Sequence, residues 1–208
     1  MTAPGADGGR FPGLGWLGAA WLLVYLPTYQ WAYGTLNFLF LCNIGVILTA
    51  LGLILRSRLL ISSQAVAAPV IALAWAVDAG WKLATGEFLF GGTSYMWDPA
   101  FPLFARLLSL YHLAWPLVLW WVLQRTGYDP RGWPLQAGIA ALAMLAGRWL
   151  GPVAENINFA WVDPFFGRQL GPAAVHLLIC WGALSLVAYG ASHWLLRRAF
   201  PIRTPSAG

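Results

Sequence analysis

The sequence predicts an all-α fold, a polytopic membrane helix bundle of about six spans read as one integral membrane domain over residues 1–208. Two observations carry this expectation. Of the 208 residues, 60% are hydrophobic and only 9% are charged, against roughly 25% charged in soluble domains. The apolar residues are also gathered into long runs, and about 20 apolar residues in a helix cross about 30 Å of hydrocarbon.

The runs fall near 14–30, 35–55, 62–85, 101–124, 134–151 and 171–196. Pro27 and the polar stretch "TYQ" shorten the first, so a re-entrant or interfacial helix is its alternative. Arg10 alone makes a poor basic leader and no clear cleavage site follows, so the run is read as retained. The second contains Thr35, Asn37, Cys42 and Asn43, and the third carries Asp78 and Lys82 near its end. Within the fourth, "ARLLSLYHLAWP" places Arg106 and His112 among apolar residues. Pro116, four residues after His112, lacks an N–H and clashes with the carbonyl one turn back, so a kink is expected there. The fifth carries Arg148 near its end, and the sixth holds His176 near its start and His193 near its end.

Basic residues near span ends set the orientation. Arg10, Arg56, Arg58, Arg125, Arg131, Arg197, Arg198 and Arg203 collect on one side, eight of the twelve Lys and Arg. That side is expected to be cytosolic, which gives N-in/C-in topology with the 31–34, 86–100 and 152–170 links outside. The net charge of +5 is then explained by topology, and nucleic acid is not an expected partner. Membrane lipids are, with a protein partner in the membrane as the other candidate. Cys42 and Cys180 both fall within spans, which excludes a secreted disulfide framework. No nucleotide-binding loop or paired-cysteine motif is present, and neither metal nor cofactor is expected.

Sorted by depth at about 1.5 Å per residue, the polar residues crowd toward the outer side. Cys42, Asn43, Asp78 and His176 lie roughly 7–13 Å deep and His112 about 15 Å deep on that rise. Lys82, Arg106 and Arg148 lie at the outer level. Ionisable groups in a membrane cost several kcal/mol unless they face partners or water, so an outer chamber shared by several helices is expected.

Each residue has a bland reading beside a functional one. Asp78 and Lys82, four apart, meet on one helix face as a bridge. Arg106 snorkels to the interface or pairs with Asp98. His112 is a hydrogen-bonded structural ring, a general base, or, with His176, a haem ligand; His176 also reads as structural. Asn43 is interhelical glue or an oxyanion donor. Cys42 is a small filler, or a nucleophile if the second and fourth spans are neighbours, with Thr35 as its rival. The outer strings "GEFLFGGTSYMWDPAF" and "PVAENINFAWVDPFFGRQL" embed Glu155, Asn156, Asn158 and Asp163 among aromatics, as expected of a roof over a pocket.

The strings "TLNFLFLCNIGVILTALGL", "SYMWDPAFPLFARLLSLYHLAWP", "LQRTGYDPRGW" and "NINFAW" resemble a group of bacterial integral membrane proteins that carries no assigned activity, which implies a bacterial cytoplasmic membrane. More distantly, "FLCN", "YHLAWP" and "NINFAWVDPFFG" are similar to elements of six-helix membrane hydrolases of the androgen-induced protein type and a related cysteine-dependent phospholipid acyltransferase. That likeness implies Cys42 as nucleophile and His112 as base. It departs in lacking a histidine two residues before Cys42. Two functions are therefore expected to compete. One is lipid acyl hydrolysis or transfer; the other is a non-catalytic membrane subunit that binds a lipid, ion or protein through a buried charge network.

Overall fold

The computed structural model describes residue 11 and residues 13–200, and no β-strand occurs among them. Arg10 and Arg203, counted on the basic side, lie outside the described residues. The first expected run is α1, Gly15–Tyr33, which continues through Pro27. It stops at Gly34, whose φ of 78° is open to glycine at little cost.

The second run divides. A single 3₁₀ turn spans Thr35–Leu39, Phe40 is extended, and α2 follows as Leu41–Ile54. At 1.5 Å per residue α2 is only about 21 Å long. α3, Arg58–Thr85, is the longest helix at 28 residues; Ser57 Oγ accepts the Leu60 N–H at its start and Gly86 closes it in the left-handed conformation.

The fourth run is α4, Leu103–Leu108, followed by α5, Tyr111–Thr126. α5 passes through Pro116, and the expected irregularity falls upstream instead. There His112 N–H reaches Ser109 O and Leu113 N–H reaches Leu110 O, three residues back and not four. α6 spans Gly132–Leu150. α7, Ala173–Gly182, runs through a π-helical segment at Ala183–Ala188 into α8, Tyr189–Ala199. Three helices are both long and apolar enough to cross a membrane, Arg58–Thr85, Leu103–Thr126 and Ala173–Ala199.

α3 is the central post. Every residue from Ile61 to Ala68 is buried, which means that its whole circumference is covered. Ser62, Ser63, Ala65, Ala67 and Ala68 are small, so neighbouring backbones can approach closely. α2, α5, α6 and α8 all pack on it. α1 leans on α2, where a Cβ on Gly18 would stand 2.8 Å from Ala50 O. The outward faces remain apolar and bare, with Leu73, Leu83, Leu117, Leu142, Trp149 and Val187 all strongly exposed. A surface of that kind is unsuited to water.

The two ends differ in character. At one end the α2–α3 turn, the α5–α6 turn and the end of α8 come together, since Asp129 N–H donates to Ser62 Oγ at 2.9 Å and Tyr128 N–H to Phe200 O at 3.2 Å. Arg56, Arg58, Arg125, Arg131, Arg197 and Arg198 belong to these segments. There Asp129, held by the Arg131 guanidinium at 2.7 Å, has its carboxyl pulled below the ordinary range. The other end carries the long 86–102 and 151–172 connections and the chamber described next.

Candidate functional site

Tyr25, Tyr29 and Tyr33 are four residues apart on α1 and so share one face. Their rings follow one another at centroid spacings of 4.1 and 5.0 Å. Opposite them, α2 presents Asn43, which is 3% exposed. The hydroxyls of Tyr25 and Tyr111 donate to its Oδ1 at 2.6 and 3.1 Å, and its Nδ2 donates to Asn37 O at 2.5 Å. A carboxamide offers both donors and acceptors, which is why one asparagine can tie α1, α2 and α5 into a single node.

His112 stands next to this node. Its ring is stacked between Trp75 at 5.1 Å and Tyr111 at 4.2 Å. Nδ1 lies 2.7 Å from Ser109 O. A carbonyl can only accept, so Nδ1 carries the proton and Nε2 of the neutral ring has a lone pair. The 3₁₀ step at Ser109–Leu110 directs that carbonyl, and Ser109 Oγ pairs with Tyr29 OH at 2.6 Å.

Tyr29, Tyr33, Asn43, Trp75 and His112 of these groups line a chamber of about 820 Å³ at the loop-rich end. Tyr29 and Tyr33 come from α1, Cys42 and Asn43 from α2, Trp75 and Lys82 from α3, and His112 from α5. Its roof is the 88–101 segment with Ala154 and Glu155. Two buried polar atoms on this wall, Tyr33 OH and Asn37 Nδ2, have no hydrogen-bond partner in the protein. Trp75 Nε1 donates to Tyr95 OH at 3.0 Å, and burial pushes the Tyr95 phenol further up, so it keeps its proton as a donor.

Cys42 and His112 therefore line one chamber, but no hydrogen bond joins them. The Cys42 thiol donates to Asn43 Oδ1 at 3.6 Å. Thr35, the rival nucleophile, is bonded to Gln30 at the surface and does not line the chamber.

Asp78 does not bridge to Lys82. Its Oδ1 accepts the N–H groups of Leu89, Phe90 and Gly91 at 3.0, 2.6 and 3.2 Å, and its Oδ2 accepts Thr93 N–H at 2.8 Å and Thr93 Oγ1 at 2.6 Å. The carboxylate thus fastens the roof to α3. Five donors from residues 89–93 fill its lone pairs. Lys82 turns instead to Gly86 O and lies over the Phe88 ring at 4.4 Å. Arg106 pairs with neither His112 nor Asp98; its Nη1 donates to Met96 O at 3.0 Å.

The remaining expected residues form a separate knot around the 152–170 loop. Asn158 Oδ1 accepts Leu41 N–H at 2.8 Å and its Nδ2 donates to Leu39 O at 2.8 Å, so it caps the start of α2 from 117 positions away. Asn156 ties its own loop, accepting the N–H groups of Trp161 and Val162. Arg148 stacks on Trp161 at 3.5 Å and donates to Ala160 O. His176 donates from Nε2 to Phe159 O at 3.0 Å and accepts Leu170 N–H at Nδ1 at 3.1 Å. With both nitrogens engaged it has no lone pair to offer a haem iron, and the haem pairing with His112 is not supported. None of these four residues lines the chamber.

Tyr29, Tyr33, Trp75, Tyr95 and Ser109 also belong to the site or its supports and are not among the residues singled out by the sequence. The tyrosine spacing on α1 was the available signal, submerged in a run that is apolar on all sides. Fold and site together define a helical bundle with a ligand-sized chamber under an anchored roof. Comparison with protein-family models, curated proteins and solved structures finds no match to the chain.

Proposed function

We infer that the protein spans a cell membrane six times, bacterial cytoplasmic by its resemblance. Both termini then lie on the cytosolic side, and the chamber opens at the outer leaflet to take up a lipid-derived ligand. The arginine-bearing end of the bundle supports that orientation. One observation carries the lipid reading. Across the Tyr25–Asn43–Tyr111 node from the chamber lies a second cavity, about 350 Å³, between α1, α2 and α5. Its walls are almost wholly apolar, including Leu17, Val24, Val46, Leu53 and Val118, with Tyr111 at the shared layer. A polar chamber adjoining an apolar crevice matches the two halves of an amphipath lying against α1 and α5. The test is photocrosslinking with a diazirine-bearing phospholipid in the purified protein. Labelled peptides from residues 88–101 and 17–24 are expected, and labelling confined to outward faces such as Leu142 and Trp149 ends the reading.

A second reading, acyl transfer or hydrolysis, is favoured by the free Nε2 of His112 in the same chamber as Cys42. The thiol would leave Asn43, attack an ester carbonyl and pass its proton to Nε2. That proton then goes to the departing alcohol, and water or an acceptor alcohol resolves the thioester. Loss of lipid-ester cleavage in both Cys42→Ser and His112→Ala supports catalysis. Variants as active as the parent remove it and leave the binding reading intact.

A further inference from the structure

We propose that the chamber recognises an alkylammonium group, the cationic end of a choline- or ethanolamine-type headgroup; this rests on the lipid reading above. The wall carries two clusters of aromatic rings. Tyr33 meets Tyr95 and Phe101 at centroid distances of 5.6 and 4.9 Å, and Phe88 meets Trp97 at 5.7 Å. Aromatic faces hold cations through their quadrupole, and boxes of such rings are a recurrent solution for methylated ammonium groups. The wall already does so once, since the Lys82 ammonium sits over Phe88.

Charge points the same way. Two exposed carboxylates, Asp98 and Glu155, line the chamber against one half-buried cation, Lys82, and Asp98 already accepts the Ala100 N–H at 2.8 Å. That cation is already engaged by Gly86 O and the Phe88 ring, so a phosphate finds little free positive charge. Arg106 does not line the space; its Nη1 donates to Met96 O, while its buried Nε has no hydrogen-bond partner. An anionic headgroup would meet a carboxylate excess, whereas an ammonium is complementary to both the rings and the acids.

The test is calorimetric titration of the detergent-purified full-length protein with short-chain phosphatidylcholine, phosphatidylethanolamine and phosphatidylglycerol. Free choline and its uncharged isostere 3,3-dimethyl-1-butanol are titrated in parallel. The two ammonium lipids are expected to bind about tenfold more tightly than phosphatidylglycerol, a ratio within reach of desolvated cation–π contacts. Choline alone, bound where the isostere is not, assigns recognition to the charge and not to the acyl chain. Asp98→Asn combined with Glu155→Gln should weaken phosphatidylcholine about three- to tenfold, the scale of two solvent-exposed ion pairs. Trp97→Leu should also weaken it and Trp97→Phe should largely restore it, a pattern that misfolding does not produce. Phosphatidylglycerol bound as well as phosphatidylcholine, or the isostere as well as choline, overturns ammonium recognition while leaving a lipid chamber. If no phospholipid binds, the chamber reading falls with it.

Discussion

Replacing Asp78 by Ala removes the one acceptor that serves four backbone N–H groups and a hydroxyl of the roof. Leu89, Phe90 and Gly91 are exposed residues, so their N–H groups can turn to water at little cost. Thr93 is 1% exposed, and both of its donors would be stranded. A buried donor left without a partner costs about 1–3 kcal/mol, so two place the penalty at about 3 kcal/mol near the low end. For a chain of this size that corresponds to a fall of about 6–12 °C in melting temperature. Thr93→Val strands nothing and loses one hydrogen bond, about 1 kcal/mol. The assay pairs thermal denaturation in detergent with hydrogen exchange at residues 89–93, whose protection should collapse in the Asp78 variant and largely survive in Thr93→Val. An Asp78→Ala protein that melts within about 1 °C of the parent and keeps those amides protected would refute the carboxylate as the roof anchor.

Asn43→Leu should destabilise the protein by about 2–4 kcal/mol in chemical denaturation, because the Tyr25 and Tyr111 hydroxyls lose their common acceptor. On α6, two alanine substitutions should diverge. Gly132→Ala drives a Cβ to within 2.7 Å of Ser62 backbone and should cost about 1–3 kcal/mol; Gly138→Ala, with nothing within 4 Å, should be neutral or stabilising by up to about 1 kcal/mol. Both are read from melting curves. Asp129 has a pKa lowered by Arg131, so its contribution is present above the unfolded-state value of about 4 and disappears as pH falls through the lower folded-state value. The parent should therefore lose stability relative to Asp129→Asn on acidification below about pH 4. Because the Arg131 side chain is 75% exposed, the difference should stay under about 1 kcal/mol; no difference between the two proteins down to pH 2.5 would contradict the assignment.

Much of the architecture is legible from hydropathy because burial preference belongs to each residue and needs no knowledge of partners. The ends of α3 are local too, since Ser57 and Gly86 act on their own helix termini. The irregularities are less readable. Pro116 predicts a kink one turn from His112, yet the departure from regular α-geometry occurs at Ser109–Leu110. There the displaced carbonyl is taken up by the histidine ring, a partner that propensity does not register. The expected shared chamber holds Cys42, Asn43, Lys82 and His112, whereas Arg148, Asn156, Asn158 and His176 pin another loop. Depth along a helix can be counted from sequence, but azimuth around the bundle cannot, and azimuth separates the two groups.

By itself the sequence determined a helical chain of long apolar runs, with most of its basic residues at one end and its aromatic connections at the other. These properties follow from composition and chain order. Only the tertiary structure decided which donor meets which acceptor: Asp78 takes the roof amides in place of Lys82, Asn158 caps a helix 117 positions distant, and the Cys42 thiol donates to Asn43. Hydrogen bonds are short and directional, so their pairing depends on where whole helices and loops come to rest, which no residue's own chemistry specifies.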